Sequence, residues 1–226
     1  MIKYYNKIIL SLAEIPAHPV LLIHGLTGCA FHCFRCFNYD SLIKATPKDP
    51  YLIDQVIDTI LKQHDLFDYV VFSGGEFLRG SLDDLRSDLQ AVKAATRKPI
   101  IVYTTGIELA KMKTLFFEGL IDGYHLDMKL PYHLLNKDDF DLIELTMGIT
   151  VANLALFDTL LDALEFTVAY DKGYNRIRSV RYPFMGESAF EENHRYVYEL
   201  NRKYGKTVPY DVNPFVNPEA EQTQTA

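Results

Sequence analysis

The chain has 226 residues, of which 48% are hydrophobic, and a formal net charge of −7. This length and composition fit one domain with a sizeable core. The negative charge argues against general nucleic-acid binding, because phosphate contacts need clustered Lys and Arg. The sequence has neither an uncharged apolar run long enough to cross a membrane nor an ordinary signal peptide. It therefore predicts a cytoplasmic protein without membrane association.

From residue 20 onward, short apolar runs alternate with helical patterns, which is typical of βαβ units and a parallel sheet. The runs predict six strands, at 20–24, 68–73, 100–104, 123–127, 175–182 and 207–212. Helical spacing follows at 52–61, 82–92, 107–118, 134–145, 151–165 and 189–204. Ser81 and Asp84 predict a capping box at the start of the second helix, and Gly148 predicts a helix break.

This alternation predicts an α/β protein with a single-domain partial (β/α)6 TIM-like barrel. The domain is predicted to cover 1–218. The polar segment 219–226 has the composition of a disordered tail. In such folds the chemistry collects at the carboxyl ends of the strands, so the motifs there are the candidates for a functional site.

The first such motif contains every cysteine of the chain. Cys29, Cys33 and Cys36 follow the first predicted strand with the spacing C-x3-C-x2-C. Three thiolates on one short loop can bind three irons of a four-iron, four-sulfur (4Fe-4S) cluster, which leaves the fourth iron open for a ligand. The odd number and close spacing of the cysteines argue against a disulfide framework.

Two other interpretations of the cysteines stay open. His24 and His32 could complete a mononuclear zinc site, although structural zinc usually takes two well-separated ligand pairs and the chain has no second cysteine pair. The thiols could also be small buried hydrophobic groups.

Other polar motifs follow the next predicted strands. Ser73-Gly-Gly-Glu76 follows the second strand, Tyr103-Thr-Thr-Gly106 the third, and Asp127-Met-Lys129 the fourth. Paired glycines let backbone groups approach a ligand without a Cβ between them. In the fifth strand, the guanidinium of Arg178 could bind a carboxylate with two hydrogen bonds. Each motif also has a plainer interpretation, as a glycine turn or a solvent-facing strand end.

Together these motifs resemble those of the radical S-adenosylmethionine (SAM) superfamily. The likeness also includes Ser11-Leu-Ala-Glu14-Ile-Pro16, Cys36-Phe-Asn38, Ile177-Arg178-Ser-Val-Arg181-Tyr-Pro183 and Pro209-Tyr-Asp211. It is strongest to the activating proteins of glycyl radical enzymes, of the kind that activate anaerobic ribonucleotide reductase and pyruvate formate-lyase. This resemblance implies the same partial barrel, with a 4Fe-4S cluster and SAM as cofactors.

The resemblance also implies site residues. The cluster ligands would be Cys29, Cys33 and Cys36. The residues that bind SAM would be Arg35, Phe37, Ser73, Gly74, Gly75, Glu76, Thr104, Asp127, Lys129, Arg178 and Asp211. Four positions depart from the activase pattern: Arg35 replaces an aromatic residue, Phe37 a histidine, Tyr103 an acidic residue and Asp211 a histidine.

The activity that the resemblance implies is reductive cleavage of SAM to methionine and a 5′-deoxyadenosyl radical, which then abstracts a hydrogen atom. For an activase, this hydrogen comes from a glycine of a partner glycyl radical enzyme, and a flavodoxin- or ferredoxin-type protein donates the electron. Two alternatives stay open: a radical SAM enzyme that acts on a small molecule or peptide, and a non-catalytic iron–sulfur or zinc-binding module.

Overall fold

The computed structural model of the chain describes residues 1–45 and 47–218, which form a seven-stranded sheet. The predicted tail, 219–226, lies outside the described residues. The strands, in chain order and also in sheet order, are Ile9–Ile15 (β1), His18–Gly25 (β2), Tyr69–Gly74 (β3), Ile100–Thr104 (β4), Gly123–Asp127 (β5), Arg176–Arg181 (β6) and Tyr210–Pro214 (β7). Strands β2 to β7 run parallel, whereas β1 pairs antiparallel with β2.

Helices connect the parallel strands. Those described are Ile53–Lys62 (α1), Leu82–Ala95 (α2), Leu109–Phe117 (α3), Phe140–Met147 (α4), Ala155–Ala169 (α5) and Glu187–Tyr204 (α6). A π-helix spans Tyr39–Lys44, and short 3-10 turns lie at His64–Leu66, Phe77–Arg79, Tyr132–Leu134 and Lys137–Asp139. No helix among the described residues is long and apolar enough to cross a membrane.

The sheet curls into a half-barrel. Ala13 and Pro16, at the end of β1, line the same cavity as Val212 and Asn213 of β7, so the two edge strands face each other across a gap. The predicted partial barrel is thus present, with one more strand than predicted.

The additional strand is β1, which forms a hairpin with β2. The two strands are joined at Pro16-Ala17, and Ile15 pairs with His18. Ala17 has a φ of 65°. In hairpin turns, a residue in this conformation is usually Gly or Asn. Because this turn carries neither residue, the sequence gives no hairpin signal here.

Both faces of the parallel strands are buried. Alternate residues of β2 and β3 pack into two different clusters, one on each face of the sheet. Leu21 and Phe72 belong to a large core cluster that includes residues of α1 and α2. Leu22 and Val71 point to the other face and form a smaller cluster inside the barrel. This burial on both faces explains why the strands are nearly continuous apolar runs in the sequence.

The start of α2 shows half of the predicted capping box. The hydroxyl of Ser81 accepts a hydrogen bond from the backbone N–H of Asp84, at 3.2 Å. The carboxylate of Asp84 instead pairs with the N-terminal ammonium of Met1, at 2.7 Å. The N-terminus of the chain is thereby fixed against the beginning of this helix.

Candidate metal and cofactor site

A cavity of about 390 Å³ lies at the carboxyl ends of the strands. Its wall includes all three cysteines and eight of the predicted cofactor residues: Phe37, Ser73, Gly74, Gly75, Thr104, Asp127, Lys129 and Arg178. Arg35, Glu76 and Asp211 do not belong to this wall. The fold therefore brings motifs from five separate segments to one place, as predicted from their positions at strand ends. Their roles in binding stay predictions.

The cysteine thiols are held in a partly buried loop directly after β2. Burial raises the pKa of Cys29 to about 11 and raises that of Cys33 as well, although the charge of Lys129 acts in the opposite direction. Since burial favours the neutral thiols, a bound cation or metal cluster would have to stabilise the thiolates. Three soft sulfur ligands on the wall of one cavity fit three irons of a 4Fe-4S cluster.

The histidines of the zinc interpretation have other surroundings. The ring of His32 stacks on Tyr39, with 3.9 Å between ring centroids. His24 lines the cavity, and its buried Nδ1 has no hydrogen-bond partner among the described residues. Within 1–45 and 47–218, no three His, Cys, Asp or Glu side chains are grouped as ligands of one metal ion.

Backbone hydrogen bonds attach the cysteine loop to the end of α4. His32 donates its N–H to the carbonyl of Met147 at 2.9 Å, and Phe34 donates to that of Thr146 at 3.1 Å. The helix then ends at Gly148, which has a φ of 63°. A Cβ at Gly148 would lie 2.0 Å from the carbonyl oxygen of His32. The predicted helix break is therefore also the place where the cysteine loop contacts the helix.

This contact predicts that Gly148→Ala destabilises the protein more than Gly205→Ala does. Gly205 ends α6 with a φ of 62°, and a Cβ there would meet nothing within 4 Å. The left-handed conformation alone should cost about 1–2 kcal/mol at each site. The clash with the loop should add about 1–3 kcal/mol at Gly148 only. Urea unfolding of both variants measures the difference, and equal losses would contradict the described contact.

A second set of contacts attaches the cysteine loop to the Gly-Gly turn. Asn38 donates its side-chain N–H to the carbonyl of Gly74 at 2.7 Å, and Glu76 donates its backbone N–H to Gly28 at 2.7 Å. A Cβ at Gly75 would lie 2.3 Å from the carbonyl oxygen of Gly28. Gly75 is therefore required for backbone packing against the loop, besides any role in ligand binding. The fixed position of Asn38 was not assigned from the sequence, although this residue belongs to the quoted Cys36-Phe-Asn38 motif.

Glu76 lies behind the cavity wall, with none of its surface exposed. Its carboxylate accepts hydrogen bonds from the hydroxyl of Thr104 at 2.9 Å, and from the N–H and hydroxyl of Thr105 at 2.8 and 2.7 Å. Burial raises the pKa of Glu76, although these hydrogen bonds act to lower it. The carboxylate therefore links the Gly-Gly turn to the end of β4, and its contact with a ligand stays a prediction.

The raised pKa of Glu76 predicts a specific pH dependence. A carboxyl whose pKa is higher in the folded than in the unfolded protein favours folding at low pH, and this stabilisation is lost as the pH rises through the folded pKa. Glu76→Gln removes this titration. The free energy of unfolding of the variant, relative to that of wild type, should therefore increase as the pH rises above the ordinary pKa range of glutamate. Urea unfolding across pH tests this expectation, and a difference that is constant with pH would contradict it.

Asp127 binds two cations on the cavity wall. Its carboxylate contacts Nζ of Lys129 at 3.2 Å and a terminal nitrogen of Arg178 at 3.0 Å. Burial acts to raise the pKa of Asp127, but the charges of Lys129 and Arg178 outweigh burial and hold it below its usual range. Two cations thus share one carboxylate, and their remaining N–H groups could bind an anionic group such as a carboxylate in the cavity.

Tyr103, which replaces an acidic residue of the activase pattern, connects β4 to the β1 hairpin. Its hydroxyl donates to the carboxylate of Glu14 at 2.6 Å. Its ring stacks on His125, with 4.9 Å between centroids, and Cζ of Arg178 lies 3.9 Å from the centroid. Both Tyr103 and Glu14 line the cavity, but neither was among the predicted cofactor residues. Only the place of Glu14 in the quoted N-terminal motif indicated that it was relevant.

Two predicted residues have partners away from the cavity. Arg35 donates to the side-chain oxygen of Asn217 at 3.0 Å. Asp211 forms an ion pair with Arg176 at 2.8 Å and lines the second cavity, of about 300 Å³, between β1 and β7. Any contact of Arg35 or Asp211 with a cofactor stays a prediction.

Comparison with known families gives one match by sequence. Residues 20–131 match the family model described as a 4Fe-4S single cluster domain. This range contains the three cysteines, the Gly-Gly turn and Asp127 with Lys129. No curated protein matches the chain significantly.

The fold is similar to that of several solved structures, among them two that match most of this chain. One is described as a histidine-tagged anSMEcpe with bound AdoMet, and it is 14% identical with a TM-score of 0.51, over 83% of this chain and 48% of that one. The other is coproporphyrinogen III oxidase (HemN) from Escherichia coli, described as a radical SAM enzyme. It is 16% identical with a TM-score of 0.53, over 94% of this chain and 48% of that one. The chain spans about half the length of each, and these likenesses confirm the predicted partial barrel.

Proposed function

We infer that the chain is a radical SAM enzyme, because it combines a match to a 4Fe-4S domain with the fold of radical SAM enzymes. The observation that carries this inference is the cavity itself. There the three cysteines, the Gly-Gly turn and the Asp127–Lys129 pair meet at the carboxyl ends of parallel strands. The AdoMet in one of the similar structures supports SAM as the ligand here.

The protein's own residues have separable tasks at this site. Cys29, Cys33 and Cys36 would hold three irons and leave the fourth open. When bound, the reduced cluster supplies the electron for cleavage of SAM to methionine and a 5′-deoxyadenosyl radical. Lys129 and Arg178 provide cationic N–H donors that suit the carboxylate of SAM.

We further propose that the hydrogen donor is a glycine of a partner glycyl radical enzyme, and that a flavodoxin- or ferredoxin-type protein is the reductant. The motifs shared with the activases support this proposal. The gap between β1 and β7 also supports it, because Glu14 and Arg178 line both the cavity in this gap and the cavity of the cysteines. A loop of a partner that entered the gap would therefore lie next to the cofactor site.

The experiment combines the reconstituted, reduced protein with SAM and a candidate glycyl radical enzyme whose glycines carry deuterium at Cα. The proposal predicts deuterium in the 5′-deoxyadenosine and a glycyl radical signal in electron paramagnetic resonance. The matched control is the same partner with its radical glycine replaced by alanine, which should give neither result. Deuterium transfer from a labelled peptide or small molecule, with none from partner glycine, would overturn the glycine proposal in favour of another radical SAM activity.

A further inference from the structure

We propose that four aromatic side chains shield the outer flank of the cysteine loop and keep the cluster in place. They are Phe34, Tyr182, Phe184 and Phe215, and we call them the aromatic cap. Phe34 lies within the loop, between Cys33 and Cys36. The inference rests on the proposed cluster, but it assigns a new positioning role to residues that no cofactor motif includes.

Direct ring contacts define the cap. The ring of Phe34 meets the ring of Phe184 edge-on, with 5.0 Å between centroids and an interplanar angle of 86°. It lies 5.7 Å from Phe215 and 6.3 Å from Tyr182. Tyr182 in turn stacks on Phe184, with an interplanar angle of 11°. Edge-on and offset contacts of this kind are the favourable geometries for aromatic pairs.

The cap joins the cysteine loop to the far end of the sheet. Tyr182 and Phe184 follow β6, and Phe215 follows β7. Besides the cap, the described backbone hydrogen bonds of the loop and that of the Asn38 side chain reach α4 and the turn after β3, and Arg35 reaches the segment after β7 through Asn217. The rings therefore connect the loop across the half-barrel, to strands on the side that its backbone hydrogen bonds do not reach.

The cap covers a different side of the loop from the cavity. None of its four rings is part of the cavity wall, whereas all three cysteines are. Tyr182 is only 4% exposed, and its ring lies against that of Phe34, the residue after Cys33. One side of the Cys33–Cys36 segment therefore faces the cavity, which a ligand can fill. The other side faces the cap, which excludes water.

This arrangement has a consequence for the bound cluster. Solvent access around the cysteine sulfurs influences both the reduction potential and the stability of an iron–sulfur centre. If the rings are removed, the loop opens more often and exposes the ligands Cys33 and Cys36. A cluster held by three ligands then loses iron from this flank, even when the cavity side is unchanged.

The test compares iron loss from reconstituted proteins. Phe34→Leu, Phe184→Leu and Phe215→Leu each remove one ring of the cap. We expect iron transfer to a strong chelator, measured without oxygen, to be about tenfold faster than in wild type. Phe184→Tyr keeps a ring and should stay close to wild type.

The matched control is Phe117→Leu, which removes a ring from a separate aromatic cluster on α3. Phe117 is 61% exposed, and the variant should release iron at the wild-type rate. Thermal unfolding of each cluster-free variant shows whether it is folded. If Phe34→Leu does not fold, the half-buried positions Phe184 and Phe215 decide the question.

Two results are distinguishable in this experiment. Wild-type rates of iron loss in the folded cap variants, from a protein that does bind a 4Fe-4S cluster, would overturn the cap alone. Failure of the wild-type protein itself to bind a cluster would overturn the proposed function, and the inference with it.

Discussion

Replacement of Cys33 by alanine is expected to remove the cluster. The chain has three cysteines, all three line the cavity, and each would bind a different iron. Loss of one ligand should reduce retention of iron and sulfide by more than about a hundredfold, since even changes outside the ligand set can cost 10- to 100-fold. Analysis of iron and sulfide after anaerobic reconstitution measures the effect. Cys29→Ala and Cys36→Ala should behave in the same way.

His32→Phe is the matched control for the cysteine variants. Phenylalanine keeps a ring to stack on Tyr39 but removes both ring nitrogens. If the cysteines bind a cluster, this variant should take up wild-type amounts of iron and sulfide. Zinc bound by the wild-type protein and lost from His32→Phe would instead support the mononuclear zinc site, and retention of a full cluster by Cys33→Ala would contradict the ligand assignment.

Asp127→Asn is expected to be the most destabilising change among the charged residues of the cavity. It leaves Lys129 and Arg178 without their shared carboxylate, and their side chains are only 9% and 16% exposed. Removal of one member of a buried ion pair typically costs 3–5 kcal/mol. Since the side chain of Asp127 is 30% exposed, we expect a loss of about 2–3 kcal/mol in the free energy of unfolding. Urea unfolding of the cluster-free protein measures this loss.

The control for Asp127→Asn is Asp58→Asn, which breaks an exposed ion pair with Lys62 on α1. Such pairs contribute about 0.3–0.5 kcal/mol.

The contribution of Asp127 to stability also depends on pH. Because the pKa of Asp127 is held below its usual range, its carboxylate stabilises the folded protein fully above the ordinary aspartate range, and this stabilisation is lost as the pH falls through the lowered pKa. Equal effects of the two substitutions near neutral pH would show that Asp127 does not bind the two cations as described.

The strands were the most predictable part of the fold. β4 and β5 begin and end where the sequence predicts, because a strand that is almost entirely buried on both faces has clear limits. The helix predicted at 134–145 begins only at Phe140, because Asn136 first caps a short 3-10 turn. β1 was missed since Ala17, in its turn, carries no hairpin signal.

The site was predictable as a location but less so in its contacts. The cysteine loop, the Gly-Gly turn and Lys129 meet because parallel strands end at one edge of the sheet. The directions of individual side chains depend on partners distant in sequence. Glu76 is held by Thr105, and Asp211 by Arg176, and no local pattern predicts these pairs. The aromatic cap likewise joins segments that are distant along the chain.

Cleavage of SAM is the direct test of radical SAM chemistry in this protein. The protein would be reconstituted anaerobically with iron and sulfide, reduced and mixed with SAM, and 5′-deoxyadenosine would be quantified beside the variant in which all three cysteines are alanine. The account predicts 5′-deoxyadenosine from wild type and none from the variant. A wild-type protein that binds a complete, reducible four-iron cluster but forms no 5′-deoxyadenosine, with or without candidate partners, would contradict it.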